Sequence, residues 1–261
     1  MRISYLIIIF IIFCSFTKSL LADEVNFNAK KMEVEENGNK IIAFISETYI
    51  PKKKINIKSD IANYNKKEQI LNFIDKVKLS DLNNNLYIEG DKMKYEKDKD
   101  LFYSYGNTKF NINDKYIIFS KNVFYNRNTQ TIYGDDFTKI EDDKKNIFKL
   151  KDGFIFDIEK ELIKSKSSTV LDNENNTYFF ENSIVNLKTN EIAGKELKVE
   201  FEKSYFGNEK NDPVLKGRSS YSNDDELKVY KAVFSTCNIE NKKCRGWELS
   251  ADEFKHDKSK K

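Results

Sequence analysis

The chain has 261 residues, of which 45 are lysine or arginine and 42 are aspartate or glutamate, so its formal net charge is only +3. A near-neutral chain with interspersed signs excludes the basic surface of a nucleic-acid-binding domain, and we expect no nucleic-acid partner. Nine glycines and two prolines exclude collagen-like and flexible-linker sequences, and the length suits one elongated domain.

The first segment, residues 1–22, is predicted to be a secretory signal peptide. It has a basic start at Arg2, an uninterrupted apolar run over residues 5–13 and a plausible cleavage site after Ala22. The apolar run is shorter than the roughly 20 residues that span a bilayer, and an uncleaved anchor is the alternative. Cleavage would remove Cys14 and two basic residues, which lowers the net charge from +3 to +1.

The remaining segment, residues 23–261, is organised around a recurring motif. In its clearest copy a small and a polar residue, Gly90 and Asp91, are followed at alternate positions by Met93 and Tyr95. The copies end at Val34, Tyr64, Tyr95, Tyr125, Phe156, Asn186 and His256. These end residues are separated by 30, 31, 30, 31, 30 and finally 70 residues. A period held over most of a chain indicates a repeat architecture.

Each repeat is predicted to be a pair of antiparallel strands. Alternation in the motif is typical of a strand, and the polar residues 96–100 that follow are typical of a turn. The returning strand is clearest at residues 71–79, where Leu71, Phe73, Val77 and Leu79 share one face. A hairpin cannot bury such a face alone, so the repeats are expected to stack around one elongated core.

The last part of the chain departs from the regular spacing. The interval from Asn186 to His256 is longer than two ordinary repeats. Within it, residues 227–234 are predicted to form a strand, and Lys216-Gly217 is predicted to be a turn.

No pattern typical of an enzyme is present, so we expect no catalytic residue and no cofactor. The one histidine, His256, falls in the aromatic column of the motif and is predicted to be an ordinary strand residue. Cys237 and Cys244 are the thiols that remain after cleavage. Four ligands are needed for a structural zinc site, so no metal is expected. In an oxidising compartment the two cysteines would form a local disulfide or bond to partners outside this chain.

The repeated motif, with Gly-Asn-Thr at 106–108 and Asp-Lys-Val at 75–77, resembles the OstA-like domain of lipopolysaccharide-transport proteins. The C-terminal segment is similar to the junction between periplasmic domain and barrel in the LptD family of outer-membrane assembly proteins. The matching residues of that junction are Thr236, Cys237, Cys244, Trp247, Ala251, His256 and Asp257.

This resemblance implies an all-β fold, an elongated antiparallel β-jellyroll of stacked two-stranded repeats, in a protein of the periplasm and outer membrane. It implies four partners: lipopolysaccharide, a periplasmic bridge protein of the same fold, a plug lipoprotein and a transmembrane barrel. In the family, disulfides tie this domain to the barrel, and Cys237 or Cys244 matches that position. The sequence ends at Lys261, where the barrel would begin, so we expect either a fragment of a longer protein or a freestanding relative.

The function expected from this resemblance is passive transport of lipopolysaccharide, whose acyl chains would lie in an apolar trough. Burial of each methylene contributes about 0.8 kcal/mol, so acyl chains favour such a path through water. The residues expected to line the trough are apolar members of the strand faces. They are Met32, Ile57, Leu71, Phe73, Ile88, Met93, Val123, Phe154 and Ile184.

Two alternatives remain open. One is a periplasmic bridge protein without a barrel, which would pair with similar domains through its edge strands. The other is a structural exported repeat protein with a closed core and no lipid cargo. An interior wide enough for acyl chains would distinguish the transport protein from the structural one.

Overall fold

The computed structural model describes residues 24–203, 213–236 and 247–259. Glu24, the first described residue, is the second residue of the predicted mature chain. The predicted signal peptide and both cysteines expected to form disulfides, Cys237 and Cys244, lie outside the described residues.

The described residues form seventeen strands and two short 3-10 turns, at Glu36–Gly38 and Pro51–Lys53, with no α-helix among them. The strands are β1 (Asn26–Glu35), β2 (Lys40–Ile50), β3 (Ile55–Asn65), β4 (Ile70–Asp81), β5 (Leu86–Glu96), β6 (Leu101–Ile112), β7 (Tyr116–Asn126), β8 (Thr131–Gly134), β9 (Thr138–Asp142), β10 (Ile147–Leu150), β11 (Phe154–Asp157), β12 (Leu162–Leu171), β13 (Thr177–Asn186), β14 (Glu191–Glu200), β15 (Val214–Ser222), β16 (Glu226–Ser235) and β17 (Glu248–Asp257). The all-β class is therefore confirmed.

All strands belong to one antiparallel sheet in which each row pairs with the next along the chain. β8 and β9 are the two halves of one row beside β7, and β10 and β11 are the halves of the next row. From β12 to β17 the rows again follow each other singly. The predicted hairpin repeats are confirmed, with β1 and β17 at the two edges of the sheet.

The rows bend near their middle, where an irregularity interrupts strand pairing. Between β5 and β6 the register shifts from Gly90 to Lys92, and Gly106 of β6 has a φ of +76° at the same level. A bulge adds a residue to one strand and bends it. Asp91 of the repeated motif occupies this bend, so the motif marks the centre of a strand rather than its beginning.

The bend changes which residues face the interior. In β5, Leu86 and Ile88 are buried before the bend, and Met93 and Tyr95 are buried after it. The inward-facing residues of β5 are therefore even-numbered before the bend and odd-numbered after it, and they lie on the same buried face of the sheet. The alternation of a plain strand would have turned the second pair outward.

The bent rows form two walls with the hydrophobic core between them. The first wall contains the strand halves next to the turns after β1, β3, β5, β7, β11, β13 and β15. The second wall contains the halves next to the turns after β2, β4, β6, β9, β12, β14 and β16. Burial of the apolar faces of both walls is the main source of stability in such a sheet, at about 25 cal/mol per Å².

The 70-residue interval between the last two motif copies contains two further hairpins with long connections. The connection from β14 to β15 spans 201–213, and that from β16 to β17 spans 236–247. The strand predicted at 227–234 is confirmed within β16. The turn predicted at Lys216-Gly217 is wrong, since both residues lie inside β15. Gly217 is required there because an added Cβ would lie 2.0 Å from Cγ1 of Val229.

The motif copy in β13 lies one residue earlier than the sequence pattern suggested. Phe180, Ser183 and Val185 are buried, whereas Ile184 is 47% exposed on the outer face. Ile184 therefore does not belong to the inward-facing set to which the sequence assigned it. The repeat ending in β13 is shorter by one residue, which an assumed period of 30 to 31 residues could not detect.

Candidate functional site

The candidate site is the apolar interior between the two walls, together with the line along which it closes. Seven of the nine predicted lining residues are buried in this interior and at most 4% exposed. They are Ile57, Leu71, Phe73, Ile88, Met93, Val123 and Phe154. Their burial agrees with an inward position and does not by itself distinguish a lipid path from an ordinary core.

Two lines of paired residues, which run across the strands, show how the structure brings these residues together. On the first line Met32 pairs with Ala43, and the line continues across the next strands through Phe73 and Met93 to Val123. Met32 is 46% exposed because β1 has no neighbour on its outer side among the described residues. The inward face is thus covered in the middle of the sheet and open at this edge.

The second line of paired residues crosses the other wall and ends in an exposed residue at the opposite edge of the sheet. It passes from Phe27 in β1 through Ile57 and Ile88 to Leu249 in β17. Leu249 is 51% exposed at the C-terminal edge. An apolar line, interrupted by Thr48 alone, therefore links the two edges of the second wall. Inward-facing side chains are exposed at both edges of the sheet, Met32 on β1 and Leu249 on β17.

The walls meet along a polar line, here called the seam, where turns of the first wall contact turns of the second wall. Lys53 Nζ donates to the Tyr95 hydroxyl at 2.8 Å, Arg127 Nε contacts Asp81 Oδ2 at 2.7 Å, the Tyr116 hydroxyl donates to Glu161 at 2.5 Å, and Lys144 Nζ donates to Asn190 Oδ1 at 2.6 Å. The paired residues are 42 to 46 positions apart, about one and a half repeats. A turn is therefore joined to one that lies three rows further along the sheet.

The strongest part of the seam is an ion-pair cluster at its N-terminal end. Arg127 contacts Asp81, whose side chain is fully buried, and also Asp100 at 2.8 Å. Lys53 contacts Asp100 at 3.1 Å, and the Tyr125 hydroxyl donates to Asp81 at 2.8 Å. Charges held in one such cluster support each other and the hydrogen bonds between them.

The electrostatics of this cluster favour the charged form of Asp100 and the neutral form of Tyr125. Burial would raise the pKa of Asp100, but the Tyr95 hydrogen bond and the charges of Arg127 and Lys53 outweigh it and lower that pKa. Burial, reinforced by the charge of Asp81, raises the pKa of Tyr125 well above its ordinary value. At neutral pH Asp100 is thus charged and Tyr125 is neutral.

Between the C-terminal strands the two walls stand apart and leave a cavity of about 390 Å³. Most of the side chains that line it are polar, Lys144 and Asp224 among them, and its apolar part includes Phe148, Val170 and Val185. The interior is therefore filled by side chains near β4 to β7 and partly empty near β12 to β16.

His256 lies in β17, as predicted for a strand residue, and contributes to the lining of this cavity. Burial, followed by the positive charge of Lys258, lowers the pKa of His256. Burial also lowers the pKa of Lys258, although Asp172 and Asp224 oppose that effect. His256 is thus an uncharged part of the cavity wall at neutral pH.

Sequence reasoning missed the seam. One signal was available, because Asp81 occupies the same inward alternation as Val77 and Leu79. A carboxylate at an inward position requires a buried partner. The identity of that partner, Arg127, depends on how the bent rows close, which the local pattern does not contain.

Within the described ranges no group of three or more histidine, cysteine, aspartate or glutamate side chains is arranged to hold a metal ion. No helix in the same ranges is long and apolar enough to cross a membrane. No protein-family model and no curated protein matches this chain. The family resemblance drawn from the sequence therefore stays a prediction.

Proposed function

We propose that this chain is the periplasmic domain of an LptD-like lipopolysaccharide assembly protein, and that its interior carries acyl chains passively between the two walls. The observation that carries the proposal is the apolar line across the second wall, which runs from Phe27 at the β1 edge to Leu249 at the β17 edge. Inward-facing side chains are exposed at both edges of the sheet, Met32 at one and Leu249 at the other. A path of this kind requires no energy source within the domain.

The 390 Å³ cavity is the proposed resting site for an acyl chain. Phe148 and Val170 supply part of its apolar surface within a lining that is mostly polar, and the seam there includes the hydrogen bond from Lys144 to Asn190. A larger cargo requires the walls to move further apart. The interior of the N-terminal half is filled by side chains such as Tyr95 and Phe102, whose rings stack at 4.1 Å, so passage there requires these rings to move.

The proposed partners follow from the same domain assignment. Among the described residues β1 and β17 each pair with one neighbouring strand only, which suits strand addition by a periplasmic bridge protein of the same fold. The barrel and its plug lipoprotein, with disulfides from Cys237 or Cys244, belong to the proposal through the sequence resemblance alone.

The test is photo-crosslinking in cells that make the exported protein. A photoreactive residue replaces Val170 in the cavity or Phe73 in the packed half, and Thr169 and Lys78 on the outer faces are the matched controls. We expect lipopolysaccharide adducts at Val170 and Phe73 and none at the controls. Adducts at neither inward position, in a protein shown to be folded and exported, would contradict the proposal.

A second candidate is a structural exported protein with a dry core. The observation that favours it is the N-terminal half, where inward side chains fill the interior and the Arg127 cluster closes the seam. The same crosslinking experiment separates the two candidates, because a structural protein would give no lipid adduct at any inward position.

A further inference from the structure

A second apolar depression lies on the outside of the molecule, where the first wall bends. This outer groove has a volume of about 880 Å³ and crosses the strands from β8 to β15. Its volume falls within the range of about 300–1,000 Å³ that is typical of small-ligand sites. Ile155 and Ile184 project into it and are 48% and 47% exposed, and Tyr133 lies beside them.

The C-terminal part of the groove carries positive charge. Lys166, Asn182 and Lys195 lie side by side on β12, β13 and β14. Two strand spacings separate the lysine backbones by about 10 Å, a gap that one carboxylate or phosphate group would bridge. Lys166 and Lys195 form no ion pair with any described residue. Two lysines elsewhere on this wall are ion-paired, Lys94 with Glu96 and Lys228 with Glu226.

A third lysine borders the apolar surface itself, because Lys164 lies between Ile155 and Ile184 in the strand pairing. The carboxylates of the groove, Asp135 and Asp152, lie beside β8 and β11, so an anionic group is attracted to the strands that carry the lysines. An apolar surface bordered by lysines suits a ligand with one apolar tail and one anionic head.

We propose that the outer groove binds a single-chain anionic amphiphile. Its acyl chain lies over Ile184 and Ile155, and its headgroup accepts hydrogen bonds from Lys166, Lys195 and the side-chain amide of Asn182. The site is separate from the interior and does not depend on lipopolysaccharide transport. It also gives a role to Ile184, which the sequence pattern had assigned to the interior.

In the test, calorimetry measures how tightly the purified chain binds hexadecanoate and its uncharged counterpart hexadecanol. Three variants are compared with the original: Ile184→Asp, the double variant Lys166→Glu/Lys195→Glu, and the control Tyr87→Asp on the outer face of β5. All four positions lie on outer faces, so folding is expected to persist, and it is checked by thermal unfolding. A photoreactive hexadecanoate then locates the contact by mass spectrometry.

We expect Ile184→Asp and the double charge reversal each to weaken hexadecanoate binding about tenfold or more, from lost apolar burial and from charge repulsion respectively. Tyr87→Asp should bind like the original, hexadecanol should bind about tenfold more weakly than hexadecanoate, and adducts should fall on the groove residues Ile155, Lys164, Ile184 and Lys195. The proposal is overturned by absent binding, by equal binding of both ligands or by variants without effect. Adducts on Phe148 or Val170 would also overturn it and would support the interior site instead.

Discussion

At the scale of single residues, the seam depends on charged side chains that are mostly buried. The side chain of Asp81 is fully buried and that of Arg127 is 7% exposed. Removal of one member of such a pair leaves an uncompensated buried charge, which costs far more than the pair contributes.

We therefore expect Arg127→Met to lower the free energy of unfolding by about 3 kcal/mol or more. Urea denaturation of the purified chain measures the change. The double variant Asp81→Asn/Arg127→Met serves as the control and should recover part of the loss, since no lone buried charge remains. Equal stability of the original and Arg127→Met would show that the cluster does not hold the walls together.

Close packing at the bend gives a second prediction for a single residue. A Cβ added to Gly194 would lie 2.1 Å from the Phe180 ring, whereas one added to Gly134 would have its nearest neighbour at an ordinary 3.4 Å. Gly194→Ala is expected to destabilise the fold by roughly 1–3 kcal/mol through overpacking, and Gly134→Ala considerably less. Paired thermal unfolding curves test the difference, and equal midpoints would contradict it.

At the scale of strands and turns, the seam should respond to acid. The folded-state pKa of Asp100 lies below its ordinary value of 3.8, so the unfolded state binds the proton more readily. The stabilisation is therefore complete above pH 3.8 and is lost as the pH falls towards the lower folded-state pKa.

Asp100→Asn should remove part of this acid dependence. We expect the stability difference between the original and the variant to shrink as the pH is lowered from 5 to 2, in urea titrations at constant ionic strength. A difference that stays constant over this range would mean that the carboxylate of Asp100 does not stabilise the fold.

The sequence predicts strands correctly where apolar and polar residues alternate locally. Leu71, Phe73, Val77 and Leu79 share the inward face as their spacing indicated. The bend at Asp91 was visible as a repeated polar residue, but nothing local identified it as a bulge. Ile184 was misassigned because one shorter repeat moves every later residue to the other face of its strand.

At the scale of the whole molecule, the seam and the edges predict an uneven distribution of stability. Strands β4 to β7 are paired on both sides and lie under the ion-pair cluster, whereas β1 and β17 are paired on one side among the described residues. We expect amide hydrogen exchange to be slowest in β4 to β7 and fastest in β1 and β17. Uniform protection across the sheet would contradict this distribution. Measurement of this hydrogen exchange by mass spectrometry also provides the baseline for experiments with added lipid.

The interval of 42 to 46 residues across the seam has a consequence for the folding of a chain that emerges N-terminus first, from a ribosome or from an export channel. Lys53 emerges well before Asp100, and Asp81 well before Arg127, so no early turn finds its partner at once. At each moment the most recent one and a half repeats carry an apolar face that nothing yet covers. At every stage the C-terminal end of the emerged chain therefore has an exposed apolar face of about constant length, and a chaperone would bind there.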